Sequence, residues 1–276
     1  MSPTAPFMVA IAGGPAAGKK TICKAIASSL QTLHNPPNVL HLALSDFHYE
    51  LGKDAQAEDT EGGVQEINWH APGAYDFDLL TTTLTSLTSL ASSDPDLKIP
   101  TFDRSTHTRK FITPITCSGR ETTQIDVVLV EGEYTLWSKM VREELVSLRV
   151  FADLDADERL SRLVLRDTEE KGYPLAAILD DYVKFAKPSF DEFILPTKQF
   201  ADIILPRGDL NTQGIELIGL HITEALRARQ NKDVVVVEKK KGPRMSAMAV
   251  VSGTETPGGS WREIPREGGS FYEIGG

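Results

Sequence analysis

The segment Val9–Thr21, VAIAGGPAAGKKT, carries an unbroken apolar run into a glycine-framed loop that ends in Gly18-Lys19. An apolar run without alternation suits a strand buried on both faces, and Gly13 and Gly18 let the backbone turn back sharply after it. Beyond the loop, Ile22, Ala25, Ile26, Leu30 and Leu33 recur at helical spacing. A strand, a glycine loop and a helix that opens on a lysine present backbone N–H groups and an ammonium to a polyphosphate. The candidate phosphate-binding residues are therefore Gly13, Gly14, Ala16, Ala17, Gly18, Lys19, Lys20 and Thr21. One position departs from the pattern G-x-x-x-x-G-K-[ST], whose last residue supplies a hydroxyl to Mg²⁺: Lys20 stands there, and Thr21 follows one place later. An ammonium cannot coordinate a cation, which leaves that coordination position to water.

Further strand-like runs at Val39–Leu44, Asp126–Glu131, Leu148–Ala152 and Ala201–Leu205 join Phe7–Ala12 and alternate with helical patterns. This is the signature of an α/β fold with a parallel sheet of five strands flanked by helices. Leu79, Leu80, Leu84, Leu87 and Leu90 trace a helical stripe through a Thr/Ser-rich stretch. Between Ile99 and Ile125, alternation around Thr101, Arg109–Ile112 and Thr122–Ile125, with Pro114 and Gly119, predicts a small antiparallel flap of the kind that covers a substrate. After Arg229 the composition turns to lysine, glycine, proline and serine. This predicts a globular domain over 1–228, with the flap at 99–125, and a mostly disordered tail over 229–276.

The 276 residues are 41% hydrophobic and 25% charged, which suits a globular protein with a sizeable core. A formal net charge of −10 argues against a nucleic-acid or anionic-membrane surface, since either needs a basic face, and points to a small-molecule substrate. No stretch approaches the roughly 18 apolar residues of a membrane span, and the N-terminus lacks the pattern of a secretory leader. Cys23 and Cys117 lack metal-ligand spacing and read as core thiols of a reducing compartment. The expected location is the cytoplasm.

Two acids fall where open α/β sheets bind ligands, at the carboxyl ends of strands: Asp46 in Ser45-Asp46-Phe47-His48-Tyr49 and Glu131 in Val130-Glu131-Gly132. Such carboxylates can take the proton of a substrate hydroxyl or hold Mg²⁺, or can merely cap and solvate a loop. Arg159, Arg162 and Arg166 line one face of a helix that starts near Asp155. They can clamp transferring phosphates or form a surface face salted by Asp157, Glu158, Asp167 and Glu169.

In this order the pieces resemble the uridine-cytidine kinases, which phosphorylate the 5′-hydroxyl of pyrimidine ribonucleosides in pyrimidine salvage. The resemblance spans about residues 7 to 228. Its carriers are Gly13–Thr21, Ser45–Tyr49, Asn68–Asp76, Ile99–Arg109, Val127–Gly132, Asp153–Asp167 and, most specifically, FAKPSFDEFILPTKQFADIILPRG over Phe185–Gly208. It implies a P-loop kinase fold with a lid over 155–173, ATP and Mg²⁺ as cofactors, and a homo-oligomer. Asp46 then matches a catalytic base, Glu131 and Asp46 the metal-site acids, Arg166 a lid arginine alongside Arg159 and Arg162, and Arg207-Gly208 the loop beside adenine. His107 matches a nucleobase contact, and Tyr49 falls within the substrate-binding stretch.

The departures from the family fall at the ligand sites. His70 stands in place of a ribose-binding Asp, Phe102 in place of a base-contacting Tyr and Arg104 in place of a Phe. Leu163, Lys171 and Tyr173 replace lid arginines. A neutral histidine offers one donor and one acceptor where a carboxylate accepts two charge-assisted bonds, so the resemblance implies weakened ribose recognition at His70. Two other readings fit the same residues: a nucleotide-binding scaffold of this fold with impaired catalysis, and a P-loop kinase acting on a non-nucleoside alcohol.

Overall fold

The computed structural model describes residues 5–50, 68–88, 97–104, 106–119 and 125–240, with side chains to residue 229. The chain divides into two units between Asp233 and Val234, and the sheet, the hairpin and the helices as far as Asp233 lie in the first. β1 (Phe7–Gly13), β2 (Val39–Ala43), β5 (Val127–Glu131), β6 (Leu148–Asp153) and β7 (Ile203–Pro206) form one five-stranded sheet in the order β2-β5-β1-β6-β7. Every pairing in it is parallel. All five carboxyl ends thus share one edge, and β1, which carries the phosphate loop, lies at the centre.

The apolar strands divide their side chains between two cores by the two-residue period of the pleat. Met8, Ala10 and Ala12 of β1 join Leu40, Leu42, Val128, Val130 and Phe151 beneath α2 (Phe77–Thr88), which contributes Leu80, Leu84 and Leu87. Phe7, Val9 and Ile11 face the other way, against Ile22, Ile26 and Leu30 of α1 (Lys19–Gln31) and Ile215, Ile218 and Ile222 of α6 (Thr212–Lys240). Every residue of β1 is buried, as expected for a central strand covered on both faces. The Leu stripe forms α2 despite its Thr-rich composition because burial of that stripe outweighs weak helix propensity; Leu90 lies outside the described residues.

β3 (Ile99–Asp103) and β4 (Thr108–Ile112) pair antiparallel as a separate two-stranded hairpin. The alternation at 122–124 lies outside the described residues. After the hairpin the chain returns to the main sheet, where the Cys117 N–H donates to the Val39 carbonyl at 2.8 Å. This leaves Cys117 exposed, so of the two expected core thiols only Cys23 is buried. α3 (Ala156–Glu169) follows β6 and is succeeded by α4 (Leu175–Asp181), a helical stretch that includes α5 (Lys187–Ser189), and β7. Leu163, Ile178, Tyr182 and Ala186 form a small third core between α3 and the helical stretch. α6 runs past Arg229, where composition predicts a disordered tail, and its backbone stays helical to Lys240; residues 241–276 lie outside the described residues. None of the described helices is long and apolar enough to cross a membrane.

Candidate active site

The phosphate loop is shaped by backbone conformations and close approaches that few residues permit. Gly13 has φ +148°, and a Cβ there would stand 2.6 Å from the Ala152 carbonyl oxygen of β6. Gly18 has φ +79°, and a Cβ would meet the Asp209 carboxyl carbon at 2.4 Å. Between them Ala16 occupies the left-handed region at φ 57°, a conformation that costs a non-glycine residue energy. The first hydrogen bond of α1 is from the Ile22 N–H to the Gly18 carbonyl at 2.9 Å, so the amides of Lys19, Lys20 and Thr21 precede the ladder and are free of it. The first turn of α1 has no acidic residue and no side-chain cap, which leaves its positive end to an anion.

Lys19 is buried, and its Nζ donates to the carbonyls of Gly13 at 3.1 Å and Gly14 at 2.7 Å. Burial lowers its pKa, opposed chiefly by the carboxylates of Glu133 and Glu131. Lys20 and Thr21 are exposed. The turn at Arg207 and Gly208 closes over the loop: Arg207 is exposed at φ 64°, and a Cβ on Gly208 would lie 2.6 Å from the Ala17 carbonyl oxygen.

The three helix arginines occupy three different settings. Arg159 is 3% exposed, donates from Nε to the Leu154 carbonyl at 3.1 Å, and lies 3.7 Å over the Phe190 ring. Its guanidinium fills the space beside Gly14, where a Cβ would meet Nη1 at 2.4 Å. Arg162 is committed to two carboxylates, Asp209 at 2.6 Å and Glu158 at 2.7 Å, so it ties α3 to the turn that packs on Gly18. Arg166 pairs with Asp167 at 2.7 Å, is 40% exposed along its side chain, and acts electrostatically on Lys19. Leu163 packs in the third core, Lys171 pairs with Asp167 at 2.8 Å and Tyr173 is exposed. The apolar contact made by Leu163 is one that an arginine head group could not make without leaving its charge unsolvated.

On the opposite side of the loop, a single 3-10 turn, Leu44–Phe47, delivers Asp46 just past β2. The Phe102 N–H of β3 donates to Asp46 Oδ1 at 3.2 Å. Burial raises the pKa of Asp46, with that N–H acting against the rise. Glu131, in register with Ala43 of β2 and Ile11 of β1, is also raised by burial, opposed by Lys19 and Lys20. The Glu131 carboxylate adds to the rise at Asp46, and Arg104, itself exposed, offsets the rise at both acids. His41 lies 3.8 Å from Glu131, and burial lowers its pKa.

Aromatic rings gather beside Asp46. His107, at φ 50°, stacks on Trp69 with centroids 4.9 Å apart and planes at 14°. His48 stacks on Tyr75 at 4.2 Å and lies 5.6 Å from Phe102. The His48 Nδ1–H donates to the Ala74 carbonyl at 3.1 Å, and burial pushes its pKa down to about 4. Arg109 holds the hairpin over this cluster by donating to Asp76 at 3.2 Å and to the His48 carbonyl. Tyr49, expected at the substrate, is 49% exposed and makes none of these ring contacts.

A profile of the phosphoribulokinase / uridine kinase family matches residues 8–213. The chain belongs to this family. It is 35% identical over 229 residues to uridine-cytidine kinase B of Dictyostelium discoideum, covering 82% of this chain and 85% of that one. It is 36% identical over 235 residues to uridine-cytidine kinase 2-B of Danio rerio, covering 82% and 84%. The solved structure of a candidate fructose transport system kinase from Silicibacter sp. TM1040 superposes with a TM-score of 0.54 at 18% identity, over 73% of this chain and 90% of that one, a likeness of fold.

Within this phosphoribulokinase / uridine kinase frame, His70 is held as a charged histidine. Its Nε2 lies 2.9 Å from Asp181 Oδ2 of α4, and its Nδ1 lies 3.9 Å from Glu133 Oε2. Burial alone would lower its pKa, but the two carboxylates outweigh burial and push it up to about 9. The ring is therefore an imidazolium near neutral pH, a cation held between two anions. Its backbone is fixed as well: the N–H donates to Asn68 Oδ1 at 2.9 Å, and the carbonyl accepts from the buried Tyr134 hydroxyl.

Sequence reasoning passed over Glu133, Asp181, Trp69, His48 and His41. Glu133 carried a signal, since it stands two residues beyond Glu131 at the same strand end. Asp181 carried none, because it reaches His70 across 111 positions.

Proposed function

We propose that this protein transfers the γ-phosphoryl group of ATP to the 5′-hydroxyl of a ribonucleoside of the uridine or cytidine type. The observation that carries the reading is the pairing, on one sheet edge, of a phosphate loop at the end of β1 with the Asp46 and Glu131 carboxylates beside it. The names of the curated relatives point to the same acceptor class. Asp46 accepts the acceptor hydroxyl's proton; its burial raises its basicity while the Phe102 N–H holds it in place. Lys19 leaves the Gly13 and Gly14 carbonyls to meet the outer phosphates, and the amides of the first turn of α1 bind the same charge. Arg166 and Arg159 supply positive charge from the α3 side, whereas Arg162 braces the turn at Asp209. His107, Phe102 and Trp69 offer ring faces to a nucleobase, with Arg104 and Tyr49 at the rim.

Mg²⁺ fits the residues present. Asp46 and Glu131 are oxygen donors of the kind the ion takes, near enough for the Glu131 charge to act on Asp46; as no group of three or more Asp, Glu, His or Cys able to hold a metal occurs among the described residues, the fit rests on these two carboxylates. Glu131 and Asp46 would hold it, leaving its other positions to water and phosphate oxygens because Lys20 offers none. When bound it neutralises phosphate charge. The same reading takes 1–228 as the catalytic unit of a cytoplasmic homo-oligomer.

The test is transfer from Mg-ATP to a panel of ribonucleosides, deoxyribonucleosides and small alcohols. Uridine or cytidine is expected to be turned over, and Asp46→Asn to lower kcat by about 10³-fold while ATP binding persists. Full activity of Asp46→Asn would remove Asp46 from the mechanism, and turnover of non-nucleoside alcohols alone would replace the acceptor.

A further inference from the structure

Glu133 follows β5 by two residues and has no place in the mechanism above, yet its side chain is largely buried beside His70. It is the strongest anionic influence on Lys19 and also acts on Glu131, His48 and Tyr75, so its charge reaches both the phosphate loop and the aromatic cluster. Its Oε2 is buried without a hydrogen-bond partner among the described residues. Leaving a buried carboxylate oxygen unbonded is costly, and buried polar atoms without partners are uncommon. The nearest cation, His70, stands 3.9 Å away, beyond hydrogen-bond reach. His70 is itself drawn to the other side, where Asp181 holds Nε2 at 2.9 Å. The oxygen therefore faces a neighbouring positive charge and lacks only a donor.

We propose that Glu133 is the residue that binds a secondary hydroxyl of the acceptor, and that His70 and Asp181 are positioning residues that hold it there. This rests on the reading of the site as a nucleoside kinase. A hydroxyl donor completes the Glu133 oxygen with a charge-assisted bond, and the adjacent imidazolium keeps the carboxylate side chain turned into the site. His70 thus hands the hydroxyl-binding task to a carboxylate from another element, and what the sequence suggests is a loss of sugar recognition becomes a relocation. Asp181 belongs to α4, directly after the predicted lid segment, so hydroxyl binding is also connected to the helix that follows α3.

The experiment compares the wild type with Glu133→Gln, Glu133→Asp and Asp181→Asn, measuring KM and kcat for uridine, 2′-deoxyuridine, 3′-deoxyuridine and Mg-ATP. For Glu133→Gln, the uridine KM is expected to rise about 10- to 100-fold with kcat changed far less. The KM for Mg-ATP should change far less than that for uridine, and an unchanged far-UV circular dichroism spectrum reports an intact fold. At least one deoxynucleoside, already lacking the contact, should be nearly insensitive to the substitution. Glu133→Asp should recover part of the loss, and Asp181→Asn should raise the uridine KM about 3- to 10-fold. A uridine KM within twofold of wild type in Glu133→Gln would overturn the proposal while leaving the kinase reading intact. An equal rise for all three nucleosides, or a shift in Mg²⁺ requirement in its place, would also overturn it, the latter by assigning Glu133 to the metal. Failure of the wild type on every ribonucleoside would overturn the kinase reading and this proposal together.

Discussion

The two sides of the site are built in opposite ways. The phosphate side is one contiguous segment, Gly13 to Thr21, whose shape is set by backbone: a strand end, two glycines at positive φ and the first turn of a helix. The acceptor side has no contiguous segment. Asp46 comes from the turn after β2, Trp69 and His70 from the approach to α2, Phe102 and His107 from the hairpin, Glu133 from beyond β5 and Asp181 from α4. A backbone cradle tolerates side-chain change except where a Cβ would collide, whereas a pocket of convergent side chains changes chemistry with each one. The loop shows this directly: Gly13, Gly18 and Lys19 of the pattern are in place, while Lys20 departs from it at an exposed position where a changed side chain meets no backbone.

After the loss expected for Asp46→Asn, the next largest effect should fall on the backbone side. Gly13→Ala forces a Cβ to 2.6 Å from the Ala152 carbonyl at a φ of +148°, so it should destabilise the fold by about 3 kcal/mol in urea unfolding. A cost below about 1 kcal/mol would mean that β1 and β6 separate easily, and the contrast between a rigid and an assembled side would fail.

The acceptor side should show its nature as a pH dependence. The His70 pKa is about 9 in the folded protein against an ordinary 6.5, so the folded state holds the proton more tightly. The stabilisation is complete below about pH 6.5 and is lost as pH rises through 9, with an upper size of about 3 kcal/mol. Urea titrations at pH 6.5 and 9.5 should show the wild type losing stability that His70→Asn does not lose; parallel behaviour would mean that His70 is not held charged. His48 contributes in the opposite sense. Its pKa of about 4 lies below the ordinary value, so its stabilisation is present above pH 6.5 and falls away as the pH drops toward 4.

The smallest effect should come from Lys20, which is exposed and stands where a hydroxyl would ligate Mg²⁺. Lys20→Ser should lower the Mg²⁺ concentration needed for half-maximal activity about 3- to 10-fold, with the acceptor KM unchanged. An altered acceptor KM would show that the two sides are less separate than their construction suggests.

The amino-acid sequence by itself determined the parallel sheet, the fully buried first strand and the phosphate loop. Each is written in neighbouring residues: apolar runs without alternation, a 3.6-residue stripe, and glycines at the turns. Asp46 and Glu131 were legible for the same reason, since a strand end places them. Only the tertiary structure decided the charge of His70 and the presence of Glu133 and Asp181 beside it. It also decided that Leu163 is core, that Arg162 is a brace and that Cys117 is exposed. These depend on which side chains meet across long separations, as His70 and Asp181 do across 111 positions. Local periodicity carries no trace of such a meeting, and the protonation of a histidine follows from the partners it finds after folding.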